Sequence, residues 1–118
     1  DLIVSNPPYI PSKEIKELSK DIRSYEPEIA INGGKDGLDL IKKVIYKSSV
    51  LLKRNGLFAI EIGTNQYLRV STVMNKYGFR LIGKEFDYNN NVRCIISTKA
   101  WFFKFLIIII LTNQRNNE

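Results

Sequence analysis

The chain alternates between short apolar runs and longer stretches in which apolar residues recur every three to four positions, and this change of period predicts its elements. Leu2-Ile3-Val4 is a continuous apolar triplet, which fits a strand buried on both faces better than one alternating against water. It stops at Asn6-Pro7-Pro8, where two successive residues lack an N–H and have a fixed φ. After Pro11, Ser12 can cap a helix with Glu14 in its first turn and Ile15, Leu18 and Ile22 on one face; Glu26-Pro27 closes it. Gly33-Gly34-Lys35-Asp36-Gly37 reads as a flexible turn. Asp36 is then a cap for a helix over residues 38–53 with the apolar stripe Leu38, Ile41, Ile45 and Leu52, ended by Asn55-Gly56. Residues 57–62 (LFAIEI) read as a second buried strand closed by Gly63. Thr64 caps a further helix that places Tyr67, Val70, Met74 and Tyr77 on one side and ends at Gly78. From Phe79 the period becomes two. Residues 79–87 and 92–98 therefore predict antiparallel strands, joined through Asn89-Asn90-Asn91 because Asn tolerates the positive φ of a turn.

The order strand, helix, helix, strand, helix, strand, strand predicts an α/β fold. It corresponds to the carboxyl half of a doubly wound, Rossmann-like sheet, in which crossover helices imply parallel strands and the final pair adds an antiparallel hairpin. Residues 1–99 are expected to form this unit, with residues 100–118 an atypical tail that is first hydrophobic (AWFFKFLIIIIL) and then polar. That apolar run is shorter than the roughly 20 residues of a spanning helix and is interrupted by Lys104, so no membrane anchor is expected. The chain opens inside its first strand, at Asp1-Leu2-Ile3-Val4 without an initiating Met, and reads as a fragment.

Composition narrows the chemistry. With 118 residues of which 44% are hydrophobic, the chain can bury a core as one domain and is not a disordered tail. A single Cys and no His exclude a disulfide framework and any Ser-His or Cys-His nucleophile, and no His/Cys metal site is expected. Cys94 is compatible with a reducing, cytoplasmic setting. The formal charge of +6 comes from Lys and Arg spread along the helices rather than clustered with aromatics; this is a solvated face, and direct nucleic-acid binding is not expected.

The most informative stretch is Asn6-Pro7-Pro8-Tyr9-Ile10-Pro11, because it places an amide, two rigid imino acids and an aromatic ring at the carboxyl end of a buried parallel strand, where ligands bind in open α/β sheets. The Asn6 side-chain oxygen and the Pro7 carbonyl can act as convergent acceptors, and Tyr9 can lie flat against a planar group. Two acceptors and a stacking face describe a site for a planar NH₂. Such a nitrogen is a poor nucleophile, since its lone pair is delocalised. Fixing both N–H bonds helps direct the lone pair at an electrophile and stabilises the positive charge that grows on nitrogen during alkylation.

Together with Tyr25-Glu26-Pro27, Ala30, Gly33-Gly34, Asp36-Gly37-Leu38, Leu57, Glu61-Ile62-Gly63, Gln66, Asp87 and Arg93, this motif makes residues 1–97 resemble the release factor glutamine methyltransferases of the HemK type, within the S-adenosylmethionine-dependent class I methyltransferases. Asn-Pro-Pro-Tyr alone is shared with adenine amino-methyltransferases; the Tyr-Glu-Pro and Gly-Gly-x-Asp-Gly-Leu elements point to glutamine. The resemblance implies methyl transfer from S-adenosylmethionine to the side-chain amide of the glutamine in the Gly-Gly-Gln loop of class 1 peptide chain release factors. It implies that Asn6 and Pro7 accept from the glutamine NH₂, that Pro8 shapes the loop and that Tyr9 stacks on the amide. Asn6 would also border the methionine end of the cofactor. Glu61 is not read as a general base, because an alkylated amide can lose its proton to water.

The chain also departs from the family. The family's glycine-rich loop, its acidic cofactor residue and its helical release-factor-docking domain do not occur in these residues, and Asn90 stands where the family usually has Gly. The 118 residues alone are therefore expected to be inactive and to bind no S-adenosylmethionine with useful affinity, with the first strand left as an open apolar edge. Two other readings stand beside this one: an adenine amino-methyltransferase acting on nucleic acid, and a non-catalytic methyltransferase remnant or binding module.

Overall fold

A computed structural model describes residues 1–17 and 32–100. Leu18, Ile22, Tyr25-Glu26-Pro27, Ala30 and the tail beyond Ala100 lie outside the described residues. The elements are β1 (Leu2–Ser5), a 3-10 helix (Ser12–Glu17), α1 (Asp39–Leu51), β2 (Leu57–Glu61), α2 (Tyr67–Lys76), β3 (Phe79–Phe86) and β4 (Val92–Lys99). The strands form one sheet in the order β1-β2-β4-β3. β1 and β2 are parallel, with α1 in the crossover between them, whereas β4 runs antiparallel to both β2 and β3. This mixed α/β sheet, with one parallel pair and a closing hairpin, is the architecture the period changes predict.

The core lies where α1 and α2 meet one sheet face. Ile41 and Ile45 of α1 and Val70 and Met74 of α2 close over Phe58, Ile60 and Ile62, with Phe79 and Ile95 from the hairpin. The predicted stripe of Leu38, Ile41, Ile45 and Leu52 is buried throughout, because 3.6-residue periodicity puts all four on the sheet side. Phe58 and Phe79 pack with ring centroids 5.1 Å apart. Ser97 reaches this apolar region from β4 and is satisfied there, its hydroxyl donating to the Phe58 carbonyl at 3.2 Å.

Several local expectations change. Ile3 packs on the core, but Leu2 and Val4 are 62% and 71% exposed, so β1 is not buried on both faces. The pleat turns those two residues to a face that no described element covers, and β1 is a sheet edge, paired only with β2 among the described residues. α1 ends at Leu51 rather than at residue 53, and within the Asn55-Gly56 turn the left-handed residue is Asn55 (φ 62°). Asp36 accepts the Leu38 N–H at 2.9 Å, one turn of chain before the helix proper. Thr64 is exposed and caps nothing; α2 starts at Tyr67, because Gln66 closes the preceding turn with its own side chain. In the hairpin, Asn90 adopts φ 65°, a conformation that its short polar side chain tolerates. Among the described residues no helix is long and apolar enough to cross a membrane.

Candidate functional site

The carboxyl ends of β1 and β2, the amino end of β4 and the hairpin turn all lie at one end of the sheet, as the register of Ser5 with Ile60 and of Glu61 with Cys94 requires. The sequence-predicted residues Asn6, Pro7, Pro8 and Tyr9 leave β1 at this end. Asn6 is exposed, Pro7 is buried, and Pro8 and Tyr9 are half-buried. The arrangement leaves the Asn6 amide accessible on a loop whose first imino acid is sealed into the protein.

Polar contacts from two directions fix the loop. On the side-chain side, the Tyr9 hydroxyl donates to Glu61 Oε1 at 3.0 Å and accepts from Arg93 Nη2 at 2.7 Å. Arg93 Nη2 lies 3.8 Å from the same Glu61 oxygen, so the phenol bridges a carboxylate and a guanidinium too far apart for a direct hydrogen bond. Arg93 also donates from Nε to the Ile62 carbonyl at 2.9 Å, lies 3.6 Å from Asp87 Oδ2, and sets its guanidinium carbon 5.4 Å from the Tyr9 ring centroid. Burial raises the Tyr9 phenol above its ordinary value, and the bond to Glu61 adds to this, with Arg93 opposing. Tyr9 is therefore a neutral donor at physiological pH.

On the backbone side, the buried Gln66 donates from Nε2 to the Tyr9 carbonyl at 3.0 Å and to the Gly37 carbonyl at 3.4 Å, while its Oε1 accepts the Gly63 N–H at 2.8 Å. Residues 32–37 pack against the same loop. Gly33 N–H donates to the Ile10 carbonyl and Ser12 N–H to the Gly34 carbonyl, both at 2.8 Å. A Cβ on Gly33 would sit 2.7 Å from the Tyr9 Cα, and one on Gly37, where φ is 78°, would run into the Tyr9 carbonyl. Gly33 and Gly37 therefore have a steric reason to be glycine. They are present because two backbones approach more closely than any side chain allows.

The sequence marked Glu61, Gln66, Asp87 and Arg93 only as matches to a pattern, without roles. Their function as a clamp on Tyr9 follows from contacts between segments far apart in the chain. The available signals were Glu61 at a strand's carboxyl end and Gln66 three residues after a glycine, the spacing at which a side chain can close a turn.

No family model matches the chain. Curated relatives do, and each of those named here is a release factor glutamine methyltransferase. The protein from Clostridium acetobutylicum is 39% identical over 100 residues, covering 85% of this chain and 35% of the relative. The one from Clostridium botulinum is 48% identical over 80 residues, covering 68% and 28%, and the one from Fusobacterium nucleatum is 40% identical over 100 residues, covering 85% and 28%. The aligned stretch spans about a third of the length of these relatives.

Proposed function

The chain belongs to the release factor glutamine methyltransferase family, and on that premise we propose that the full-length protein carrying it methylates the side-chain amide of the Gly-Gly-Gln glutamine in class 1 peptide chain release factors. S-adenosylmethionine is the proposed donor, the cytoplasm the proposed compartment, and residues 1–99 the proposed share of the catalytic domain. The observation that carries this reading is the Asn6-Pro7-Pro8-Tyr9 loop at the carboxyl end of β1, with Pro7 buried, Asn6 exposed and Tyr9 fixed by Glu61 and Arg93.

The Asn6 side-chain oxygen and the Pro7 carbonyl accept the two N–H bonds of the substrate amide. Pro7 and Pro8 restrict how far either acceptor moves. Tyr9, its hydroxyl already committed at both lone pair and proton, offers a ring of fixed orientation for the amide plane. Held this way, the nitrogen lone pair is directed outward, and the two acceptors stabilise the positive charge that builds on nitrogen. An exposed amide at a strand's carboxyl end also fits a place beside the donor, and Asn6 is the one described residue assigned to it. When bound, the donor's sulfonium supplies an electrophilic methyl group. The proton released from the alkylated amide goes to water, and Glu61, occupied by the Tyr9 hydroxyl, is not needed as a base.

The test is methyl-label transfer by the full-length protein. Label is expected in the glutamine of a Gly-Gly-Gln release factor and absent with Asn6→Ala. Label in DNA or RNA in place of the release factor overturns the reading in favour of an adenine amino-methyltransferase.

A further inference from the structure

We infer that Gln66 is a positioning residue for the acceptor loop, acting through the Tyr9 backbone carbonyl; the inference rests on the reading that the Asn6-Pro7-Pro8-Tyr9 loop receives the substrate amide. Gln66 is 3% exposed and makes hydrogen bonds to two segments distant in sequence, at the Tyr9 and Gly37 carbonyls, and to the Gly63 N–H three residues before it. The pattern needs one acceptor and two donors on a single planar group. A carboxamide supplies these, whereas a carboxylate or a thioether of the same length does not.

There is little slack around it. A Cβ on Gly63 would stand 3.0 Å from Gln66 Oε1 and 2.9 Å from Tyr9 Cδ2, and one on Gly37 would stand 2.8 Å from Gln66 Nε2. The linkage from the anchored Tyr9 carbonyl back to the Pro7 carbonyl is short and stiff. With the peptide planes and the Pro8 φ fixed, the soft rotations between them are ψ of Pro8 and φ and ψ of Tyr9. Gln66 thus holds one end of the segment whose other end presents the two acceptors. A displacement there of about 1 Å is enough to cost on the order of 100-fold in rate.

The experiment compares wild type, Gln66→Met and Gln66→Glu in the full-length protein. It measures kcat for methyl transfer to a Gly-Gly-Gln release factor, the affinity and stoichiometry of S-adenosylmethionine binding, and the pH profile. For Gln66→Met, kcat is expected to fall by about 10- to 100-fold while donor binding stays within about twofold. For Gln66→Glu, the carboxylate faces two carbonyls and the rate is low at neutral pH. Protonation restores one donor to the Tyr9 carbonyl, so activity recovers on acidification relative to wild type.

Three results overturn the inference: Gln66→Met retaining kcat within about twofold, Gln66→Met losing donor stoichiometry in proportion to kcat, or Gln66→Glu showing the wild-type pH profile. If Gln66→Met does not fold, the Gln66→Glu profile decides alone. Absence of transfer to the release factor by wild type is a different result and overturns the functional reading instead.

Discussion

β2 and β4 build two unlike regions along their length. In the middle, Phe58 lies opposite Ser97 and Ile60 opposite Ile95, and apolar burial under the helices holds them. At one end, Glu61 lies opposite Cys94, with Arg93 just beyond; Asp87 forms an ion pair with Arg93, and directional hydrogen bonds run from Arg93 through the Tyr9 hydroxyl to Glu61. The apolar region is non-directional, so its energy follows area and fit, and side chains of similar volume can replace one another. In the polar seam each atom has an assigned partner, and a change of one atom type matters more than a change of volume. The Asn6-Pro7-Pro8-Tyr9 loop is anchored to the second kind of region, which fixes orientation as well as distance.

The largest effect should come from emptying the centre. Phe58→Ala removes a fully buried ring and is expected to lower stability by about 3–5 kcal/mol, whereas Ile60→Val should lower it by only about 1 kcal/mol. Urea unfolding midpoints of the full-length protein check both, and equal losses would erase the contrast between volume and atom type.

Gly37→Ala sits where the regions meet. It adds about 1–2 kcal/mol of left-handed backbone strain to a clash with the Tyr9 carbonyl. A loss of methyl transfer larger than the loss of stability explains is expected, read by comparing activity at full folding with the unfolding curve. Activity that merely tracks the folded fraction would count against a loop held by close backbone approach.

Tyr9→Phe and Arg93→Lys probe the seam more gently. Each removes part of the Tyr9–Arg93 contact, and a double-mutant cycle should show a coupling of about 1 kcal/mol in stability. Additivity within about 0.3 kcal/mol would mean that the two side chains act independently.

The smallest effect is at the hairpin turn. Asp87 accepts the N–H groups of Asn89 and Asn91, each at 2.9 Å, and the Asn91 backbone bond leads the causes that hold its carboxyl below the ordinary aspartate value. A depressed folded value contributes stability that is present above the unfolded value of about 3.9 and is lost as pH falls through the folded one. The Asn91 amide should therefore lose hydrogen-exchange protection only below about pH 4. Asp87→Asn should remove that dependence, and an unchanged acid limb in the variant would assign it to another group.

The sequence alone determined the two α-helices, β2 and the hairpin, and which of their faces are apolar. The four apolar residues of the α1 stripe, the Val70 and Met74 side of α2, the two-residue period of the hairpin and the parallel crossover all follow from local periodicity, because burying an apolar face needs only the right spacing along one segment. It also marked the Asn6-Pro7-Pro8-Tyr9 loop, whose rigid rings and strand-end position are local properties. Even local signals misplaced one cap: Thr64 has the chemistry of an N-cap, but Gln66 closes that turn from three residues away. What only the tertiary structure decided is how the loop is held. Tyr9, Gly37, Glu61, Gln66 and Arg93 belong to different loops, turns and strands, and none of them carries by itself a sign of the partner it has in the fold. Directional bonds between them depend on strand order, on the offset of Glu61 against Cys94 and on a backbone approach that excludes a Cβ. No single segment encodes these quantities, since they arise when the non-directional core has drawn the segments together and left their polar atoms within reach of one another.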